Sequence, residues 1–152
     1  MKVGIIGCGG MGTTHYLSLK ALSGKMDLEV VAIADCREEF LKKAAAYFPN
    51  ARTYSYGMDM IEKEELDIVH ICLPSYLHAS HVVAAMEKKM NVFVEKPMCL
   101  TEKDTELILE TEKRTGVKAM VGQVVRSFDI RMHCICSSLH RHLTGNMLFR
   151  ES

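Results

Sequence analysis

Two short groups of residues in this chain combine types and spacings that can do chemistry. One is Gly7-Cys8-Gly9-Gly10-Met11-Gly12, which directly follows an apolar run. The other is Glu95-Lys96-Pro97, which follows a second apolar run, Asn91 to Val94. A glycine-rich turn of this spacing accommodates a pyrophosphate, and a lysine at a strand end places a cation beside a reacting oxygen. Together the two groups predict a site for a nicotinamide dinucleotide.

Each glycine of the first group has a distinct mechanical role in such a turn. Gly7 permits a sharp turn after the strand, Gly9 lets the backbone approach the phosphates, and Gly12 lets the next helix pack closely. Exposed N–H groups at the helix start then bind the phosphates. The residues expected to line this phosphate site are Gly7, Cys8, Gly9, Gly10, Met11 and Gly12. Glycine-rich turns also occur in S-adenosylmethionine methyltransferases, but Glu95-Lys96-Pro97 has no role in that chemistry.

A carboxylate follows at the end of the next apolar run. Asp35 lies 23 residues after Gly12. A carboxylate at this place accepts hydrogen bonds from the adenosine ribose and repels a 2′-phosphate, which favours NAD over NADP. Arg37 keeps NADP open, because a guanidinium can stack on adenine or reach a 2′-phosphate. The alternative for Asp35 is a turn or helix-capping aspartate.

Strand and helix patterns alternate along the chain and would position these groups. The predicted strands are 3–6, 28–34, 52–54, 67–73, 91–94 and 118–121. The predicted helices are a stretch after the glycine run that Gly24 would end, then 38–48, about 58–63, about 77–89 and a stretch after Thr101. Thr101 with Asp104 resembles a capping box, and Gly116 is suited to end the last helix. This alternation predicts an α/β fold, a doubly wound parallel sheet of the Rossmann type, in a single domain.

These motifs together resemble a known family. The glycine run, Asp35, the segment Leu73-Pro74-Ser75-Tyr76-Leu77-His78 and Glu95-Lys96-Pro97 are similar to the nucleotide-binding half of the Gfo/Idh/MocA oxidoreductases. That group includes glucose–fructose oxidoreductase and inositol dehydrogenase. The resemblance covers roughly residues 2 to 128, and Glu95-Lys96-Pro97 is its most specific element.

The resemblance implies roles for individual residues. The loop with Leu73, Pro74, Tyr76 and His78 would pass the nicotinamide ribose. Glu95 would help to hold that ribose, Lys96 would face the reacting carbon as the catalytic residue, and Pro97 would follow a cis peptide bond. From the residues alone, His78 reads as a helix-start residue and His70 as a core histidine.

The chain departs from the family after the predicted Rossmann domain, residues 1–122. Family members continue into a second α/β domain that shapes the substrate pocket, whereas residues 123–152 form an irregular tail here. Residues 130–152 hold no lysine and one acidic residue. We interpret the tail as unselected sequence on a truncated product. The alternatives are a short element that covers the sheet, or a zinc site from Cys134, Cys136, His140 and His142, whose spacing is too tight for a usual finger.

Composition excludes several classes of function. The 152 residues hold 19 basic and 19 acidic side chains, so no net positive field attracts nucleic acid or an anionic membrane. We expect no membrane span and no metal site. The six cysteines sit in an α/β pattern, which favours free thiols and a cytoplasmic location. Apolar residues around Val121, Val124 and Phe128 would be exposed without a second domain, so we expect a homo-oligomer.

The sequence therefore predicts the cofactor domain of an NAD-dependent oxidoreductase. The parent chemistry would be hydride transfer between nicotinamide and a hydroxyl-bearing carbon of a sugar or polyol. Whether this chain is itself an enzyme stays open, because the substrate domain is expected to be missing. The alternative is a non-catalytic dinucleotide-binding module that acts through a protein partner.

Overall fold

The computed structural model describes residues 1–122. Six strands are present in this part of the chain: β1 (Lys2–Ile6), β2 (Glu29–Ala34), β3 (Arg52–Tyr54), β4 (Ile68–Ile71), β5 (Asn91–Glu95) and β6 (Ala119–Gly122). Five α-helices connect them: α1 (Gly10–Ser23), α2 (Glu38–Ala45), α3 (Gly57–Lys63), α4 (His78–Glu87) and α5 (Glu102–Thr115). The tail, its candidate metal ligands and most of the expected oligomer surface lie outside the described residues.

All strand pairs in the sheet are parallel, in the order β3-β2-β1-β4-β5-β6. The chain runs outward from β1 to β3, returns to the middle at β4 and then runs outward in the other direction. The predicted doubly wound Rossmann fold is confirmed. The order reverses between β1 and β4, and in open parallel sheets ligands bind beyond the carboxyl ends of the strands at this point.

Helices cover both faces of the sheet because the central strands are apolar on both sides. On one face, α3, α4 and α5 pack on a cluster that includes Val69, Ile71, Val92 and Val94. On the other face, residues of α1 and α2 pack with Val3 and Ile5 of β1. Each such fully buried aliphatic side chain stabilises the fold by roughly 1.5–3 kcal/mol. The two cores hold the carboxyl edge of the sheet in place.

The predicted element types are correct, and the errors lie at their ends. The prediction that α2 reaches Phe48 was wrong, because the helix ends at Ala45. The amides of Tyr47 and Phe48 instead bond carbonyls three residues back, and Pro49 disfavours helical backbone at the residue before it. At α5 the Asp104 amide donates to the Thr101 hydroxyl over 3.1 Å, and Gly116 ends the helix with a φ of 78°. None of the helices within residues 1–122 is long and apolar enough to cross a membrane.

Candidate dinucleotide site at the carboxyl edge of the sheet

The turn after β1 requires glycine at two positions. Gly7 has a φ of 89°, and a Cβ on it would lie 2.5 Å from the carbonyl oxygen of Cys72 at the end of β4. A Cβ on Gly12 would lie 1.9 Å from the carbonyl oxygen of Gly7. Because both obstacles are backbone atoms, no rotamer change can relieve them. The turn therefore brings the start of α1 closely over the ends of β1 and β4.

The first turn of α1 keeps its amide groups available for an anion. The helix begins after Gly9, which has no side chain with which to cap it. By contrast, the start of α5 is capped by the Thr101 hydroxyl. Uncapped N–H groups and the positive end of the helix dipole favour a bound phosphate. The glycine cradle and these amides fit the pyrophosphate of a dinucleotide.

Asp35, directly after β2, is held beside this turn by backbone amides. Its carboxylate oxygens accept hydrogen bonds from the Cys8 amide over 2.7 Å and from the Arg37 amide over 2.8 Å. Each oxygen has a second lone pair, so the carboxylate can still accept from a ribose hydroxyl. Asp35 therefore joins the glycine turn after β1 to the residues that follow β2.

Arg37 lies across the mouth of the glycine turn. Its guanidinium carbon lies 3.9 Å from the centre of the Phe40 ring, and its Nε lies 3.5 Å from an Asp35 oxygen. A Cβ added to Gly9 would lie 2.7 Å from the Arg37 Nη2. Stacking on Phe40 and attraction to Asp35 thus place an exposed guanidinium plane beside Gly9.

A groove of about 560 Å³ runs along this edge between the ends of β1, β2 and β4. It brings together five of the predicted residues, namely Gly7, Asp35, Arg37, Leu73 and Pro74. Sequence reasoning missed Tyr56, Met58 and His81, which also line it. Tyr56 and Met58 follow the end of β3, so the rule that parallel strands end at one edge could have found them.

Cys8 belongs to the glycine turn, but its side chain faces the interior. The thiol is buried and lies 3.8 Å from the Ala34 carbonyl oxygen. Burial, reinforced by the Asp35 charge, raises the pKa of Cys8 to about 12. Burial raises the pKa of Cys72 to about 12 as well, with a smaller contribution from Glu95. The Cys8 side chain thus does not reach a phosphate in the turn, its amide already donates to Asp35, and both thiols stay protonated.

The loop after β4 divides into an exposed and a buried part. Tyr76 is 72% exposed, in a 3-10 turn at Ser75–Leu77. His78 begins α4, as expected, and is buried. Its Nδ1 lies 2.6 Å from the Pro97 carbonyl oxygen and its Nε2 lies 2.7 Å from the Leu73 carbonyl oxygen. His78 therefore joins the loops after β4 and β5 from behind rather than facing the groove.

Glu95 and Lys96 at the end of β5 point to different environments. Lys96 is exposed, and the Lys96–Pro97 peptide is cis, as expected. Glu95 is buried. Its Oε1 lies 2.8 Å from the Nε2 of His15, and its Oε2 accepts the Lys96 amide over 3.2 Å. The strand end thus presents a cation at the edge and keeps the adjacent carboxylate inside.

His15 is the second feature that sequence reasoning missed. It lies on α1 beside the stacked pair of His70 and Phe93, with its ring centre 5.4 Å from that of His70 and 5.1 Å from that of Phe93. Its Nδ1 lies 3.3 Å from the Nδ1 of His70. Burial, with a smaller contribution from His15, lowers the pKa of His70 to about 4. A usable signal existed, since His15 lies one helical turn after Gly12 on the stripe that faces the sheet.

The remaining predicted residues lie outside the lining of the groove. Gly9, Gly10, Met11 and Gly12 form the turn and the start of α1 beside it, and Lys96 and Pro97 follow the neighbouring strand β5. Within residues 1–122, no cluster of three histidine, cysteine or acidic side chains could hold a metal ion. The arrangement offers an anion cradle, a carboxylate and a groove in a row, with a lysine farther along the same edge.

The model of the Gfo/Idh/MocA oxidoreductase family, described as an NAD-binding Rossmann fold, matches residues 1–123. This chain belongs to that family. The Gfo/Idh/MocA resemblance expected from the motifs is thereby confirmed, and the matched region is the family's NAD-binding domain.

Individual relatives share the family's oxidoreductase character. Myo-inositol 2-dehydrogenase from Thermotoga maritima is 31% identical over 122 residues, which cover 80% of this chain and 36% of that protein. Inositol 2-dehydrogenase from Salmonella typhimurium is 30% identical over 131 residues, which cover 85% of this chain and 38% of that protein. This Gfo/Idh/MocA chain therefore spans less than two fifths of the length of these relatives.

Solved structures give the same fold. Scyllo-inositol dehydrogenase from Lactobacillus casei, with bound NAD(H) and scyllo-inositol, superimposes with a TM-score of 0.81 at 22% identity. The match covers 93% of this chain and 42% of that chain. At this identity the likeness concerns the Gfo/Idh/MocA fold and not the substrate.

Proposed function

We propose that this chain binds NAD(H) along the carboxyl edge of its sheet. The pyrophosphate lies on the amides at the start of α1, and the adenosine ribose donates to Asp35. The single observation that carries the proposal is the juxtaposition of the glycine cradle with Asp35, which is held by the Cys8 amide over 2.7 Å. One continuous groove then takes the adenosine half of the ligand.

The site should prefer NAD to NADP. A 2′-phosphate beside Asp35 would meet a carboxylate whose position is fixed by two backbone amides. Arg37 could offset this charge, but its guanidinium is already drawn toward Asp35 and stacked on Phe40. We therefore assign Arg37 to contact with the adenine plane and Asp35 to the choice of cofactor.

The parent activity we propose is the oxidation or reduction of a hydroxyl-bearing carbon of a sugar or polyol. The bound nicotinamide supplies the hydride acceptor or donor. In oxidation Lys96, exposed at the end of β5, would in its neutral form accept the hydroxyl proton as the carbonyl forms, and in reduction it would return that proton to the oxygen. The polyol class is supported by the similarity to myo-inositol 2-dehydrogenase.

A second candidate is a dinucleotide-binding module that acts through a partner without catalysis. The observation that favours it is that Lys96 lies outside the lining of the groove, so the described residues build a binding site without a lysine in it. We also propose that the domain ends near residue 122 and that the chain self-associates. In the described residues β6 is an edge strand, and Met120 on it is 63% exposed. Light scattering at micromolar concentration tests association, which a clean monomer would contradict.

Calorimetric titration of the purified chain with NADH, NAD and NADPH tests the binding proposal. We expect binding of NADH and NAD, with NADPH weaker. Lys96→Ala should retain cofactor affinity, because Lys96 lies beyond the groove that holds the adenosine half. Absence of NADH binding by the folded wild-type chain would refute the proposed function. Turnover of inositols that disappears in Lys96→Ala would favour the enzyme over the module.

A further inference from the structure

The buried carboxylate of Glu95 needs a fixed hydrogen-bond donor on its inner side. Its Oε2 accepts the amide of the next residue, Lys96, over 3.2 Å, and its Oε1 lies 2.8 Å from the Nε2 of His15. A Cβ on Gly122 would lie 3.0 Å from the same Oε1, so β6 closes the third side. The Nε2 of His15 donates to this oxygen when that nitrogen carries the ring hydrogen.

The position of His15 is tied to the glycine turn. His15 lies three residues after Gly12 in α1. Because a Cβ at position 12 would lie 1.9 Å from the Gly7 carbonyl oxygen, α1 packs closely against the turn that follows β1. The imidazole also packs against the rings of His70 and Phe93, which are stacked on each other. Its orientation toward Glu95 is thus set before any ligand arrives.

His70 completes the hydrogen bonding of His15. With burial holding the pKa of His70 at about 4, that ring is neutral near pH 7. A neutral imidazole can present either an N–H or a lone pair at Nδ1, so the contact of 3.3 Å between the two Nδ1 atoms is satisfied with His15 neutral or charged.

We propose that His15 is a positioning residue that fixes Glu95 and, through the Lys96 amide, sets the strand end that carries the catalytic lysine relative to the phosphate turn. The inference rests on the proposed dinucleotide function. It assigns to α1 two tasks at opposite ends of the ligand. The N-terminus of the helix binds phosphate. One turn later, the His15 side chain fixes the position of the strand end that meets the nicotinamide half of the ligand.

Two substitutions of similar polarity separate positioning from packing. The side-chain nitrogen of glutamine can take the place of the histidine Nε2 and reach Glu95, whereas the shorter asparagine reaches only the place of Nδ1. We expect His15→Gln to keep NADH affinity within about threefold and His15→Asn to weaken it about tenfold, because a strand end that is no longer fixed must be ordered when the ligand binds.

A second readout needs no cofactor. In the apo chain, the Lys96 amide resonance should shift and lose hydrogen-exchange protection in His15→Asn but not in His15→Gln. The Cys8 amide, which donates to Asp35, should stay protected in both and serves as the internal control. Equal behaviour of the two variants at Lys96 and in NADH affinity would overturn the proposal.

The two proposals fail in different ways. A wild-type chain that does not bind NADH would refute the proposed function, and the Lys96 amide would still decide the role of His15. If His15→Asn does not fold and His15→Gln does, the test becomes the hydrogen-exchange protection of the Lys96 amide in His15→Gln. Loss of its protection there would overturn the proposal, and wild-type protection would uphold it.

Discussion

Asp35 and Glu95 are both buried carboxylates at the carboxyl edge of the same sheet, but they are held by different means. Asp35 accepts two backbone amides, from Cys8 and Arg37. Glu95 accepts one backbone amide and the imidazole of His15, 80 residues away in the chain. Asp35 is therefore held by backbone amides alone. Glu95 depends in addition on one side chain of α1.

The largest effect is expected from a substitution that moves the glycine turn, because this turn supplies the Cys8 amide that donates to Asp35. Gly12→Ala places a Cβ 1.9 Å from the Gly7 carbonyl oxygen, so we expect a loss of roughly 3 kcal/mol or more in unfolding free energy. Gly10→Ala is the matched control, because nothing lies within 4 Å of its added Cβ. It should change stability by less than about 1 kcal/mol. Urea denaturation measures both, and equal losses would contradict the comparison.

The free energy of unfolding should depend on pH through His70, which lies beside His15 near Glu95. Its folded-state pKa of about 4 lies below the ordinary value of 6.5, because burial opposes the charged ring. Between about pH 6.5 and pH 4, His70 therefore binds a proton in the unfolded chain but not in the folded chain. Stability falls as the pH decreases from about 6.5 to about 4, by at most about 3 kcal/mol for this group.

The variant His70→Phe should flatten this part of the profile. Urea denaturation from pH 4.5 to 7.5 measures the difference between wild type and variant. His81, whose pKa burial also lowers, remains in both proteins and cancels. Parallel profiles for the two proteins would show that His70 takes up its proton in the folded state.

Asp35→Ala should affect binding more selectively than either change above. Loss of the carboxylate removes a ribose acceptor and the repulsion of a 2′-phosphate, so NADH affinity should fall roughly tenfold to a hundredfold while NADPH falls less. Asp35→Asn, which keeps one acceptor oxygen, is the matched control and should be intermediate. Calorimetry gives both affinities. An NADPH preference in the wild-type chain would assign the ribose pocket to Arg37 instead.

The smallest effect is expected at the outer side of Glu95. In Gly122→Ala the added Cβ lies 3.0 Å from the Glu95 Oε1 and 3.1 Å from the Phe93 ring, so those side chains must shift slightly. We expect a loss of about 1 kcal/mol and a change in the Lys96 amide resonance. Met120→Ala, at an exposed position of the same strand, should leave that resonance unchanged. The Cys8 amide should not respond to either variant.

Local signals made most of the fold predictable. Apolar runs that alternate with helical stripes gave the order of strands and helices, and short-range chemistry gave the stop at Gly116 and the cap at Thr101. The end of α2 was missed because tight turn bonds replace the last helical turn before Pro49. Where the helix ends depends on how Phe48 packs in the core, and the helical pattern of the sequence does not show this packing.

The sequence predicted those parts of the candidate site that lie directly after the ends of strands. The glycine turn, Asp35 and the exposed Lys96 all follow parallel strands, so sequence order alone placed them on one edge. Cys8 and His78 were placed in the site by position in a motif. Only the packed structure revealed that the Cys8 thiol faces inward and that His78 bonds two carbonyls behind the loops.

The sequence by itself determined the fold class, the family and the cofactor class, because glycine spacing and strand ends act within a few residues of the chain. Tertiary structure alone decided that His15 meets Glu95, that His70 stays neutral, and that Tyr56 and His81 join the groove. These outcomes depend on how α1 and α4 lie against the sheet. Contacts between residues tens of positions apart follow from that packing and leave no fixed spacing in the sequence.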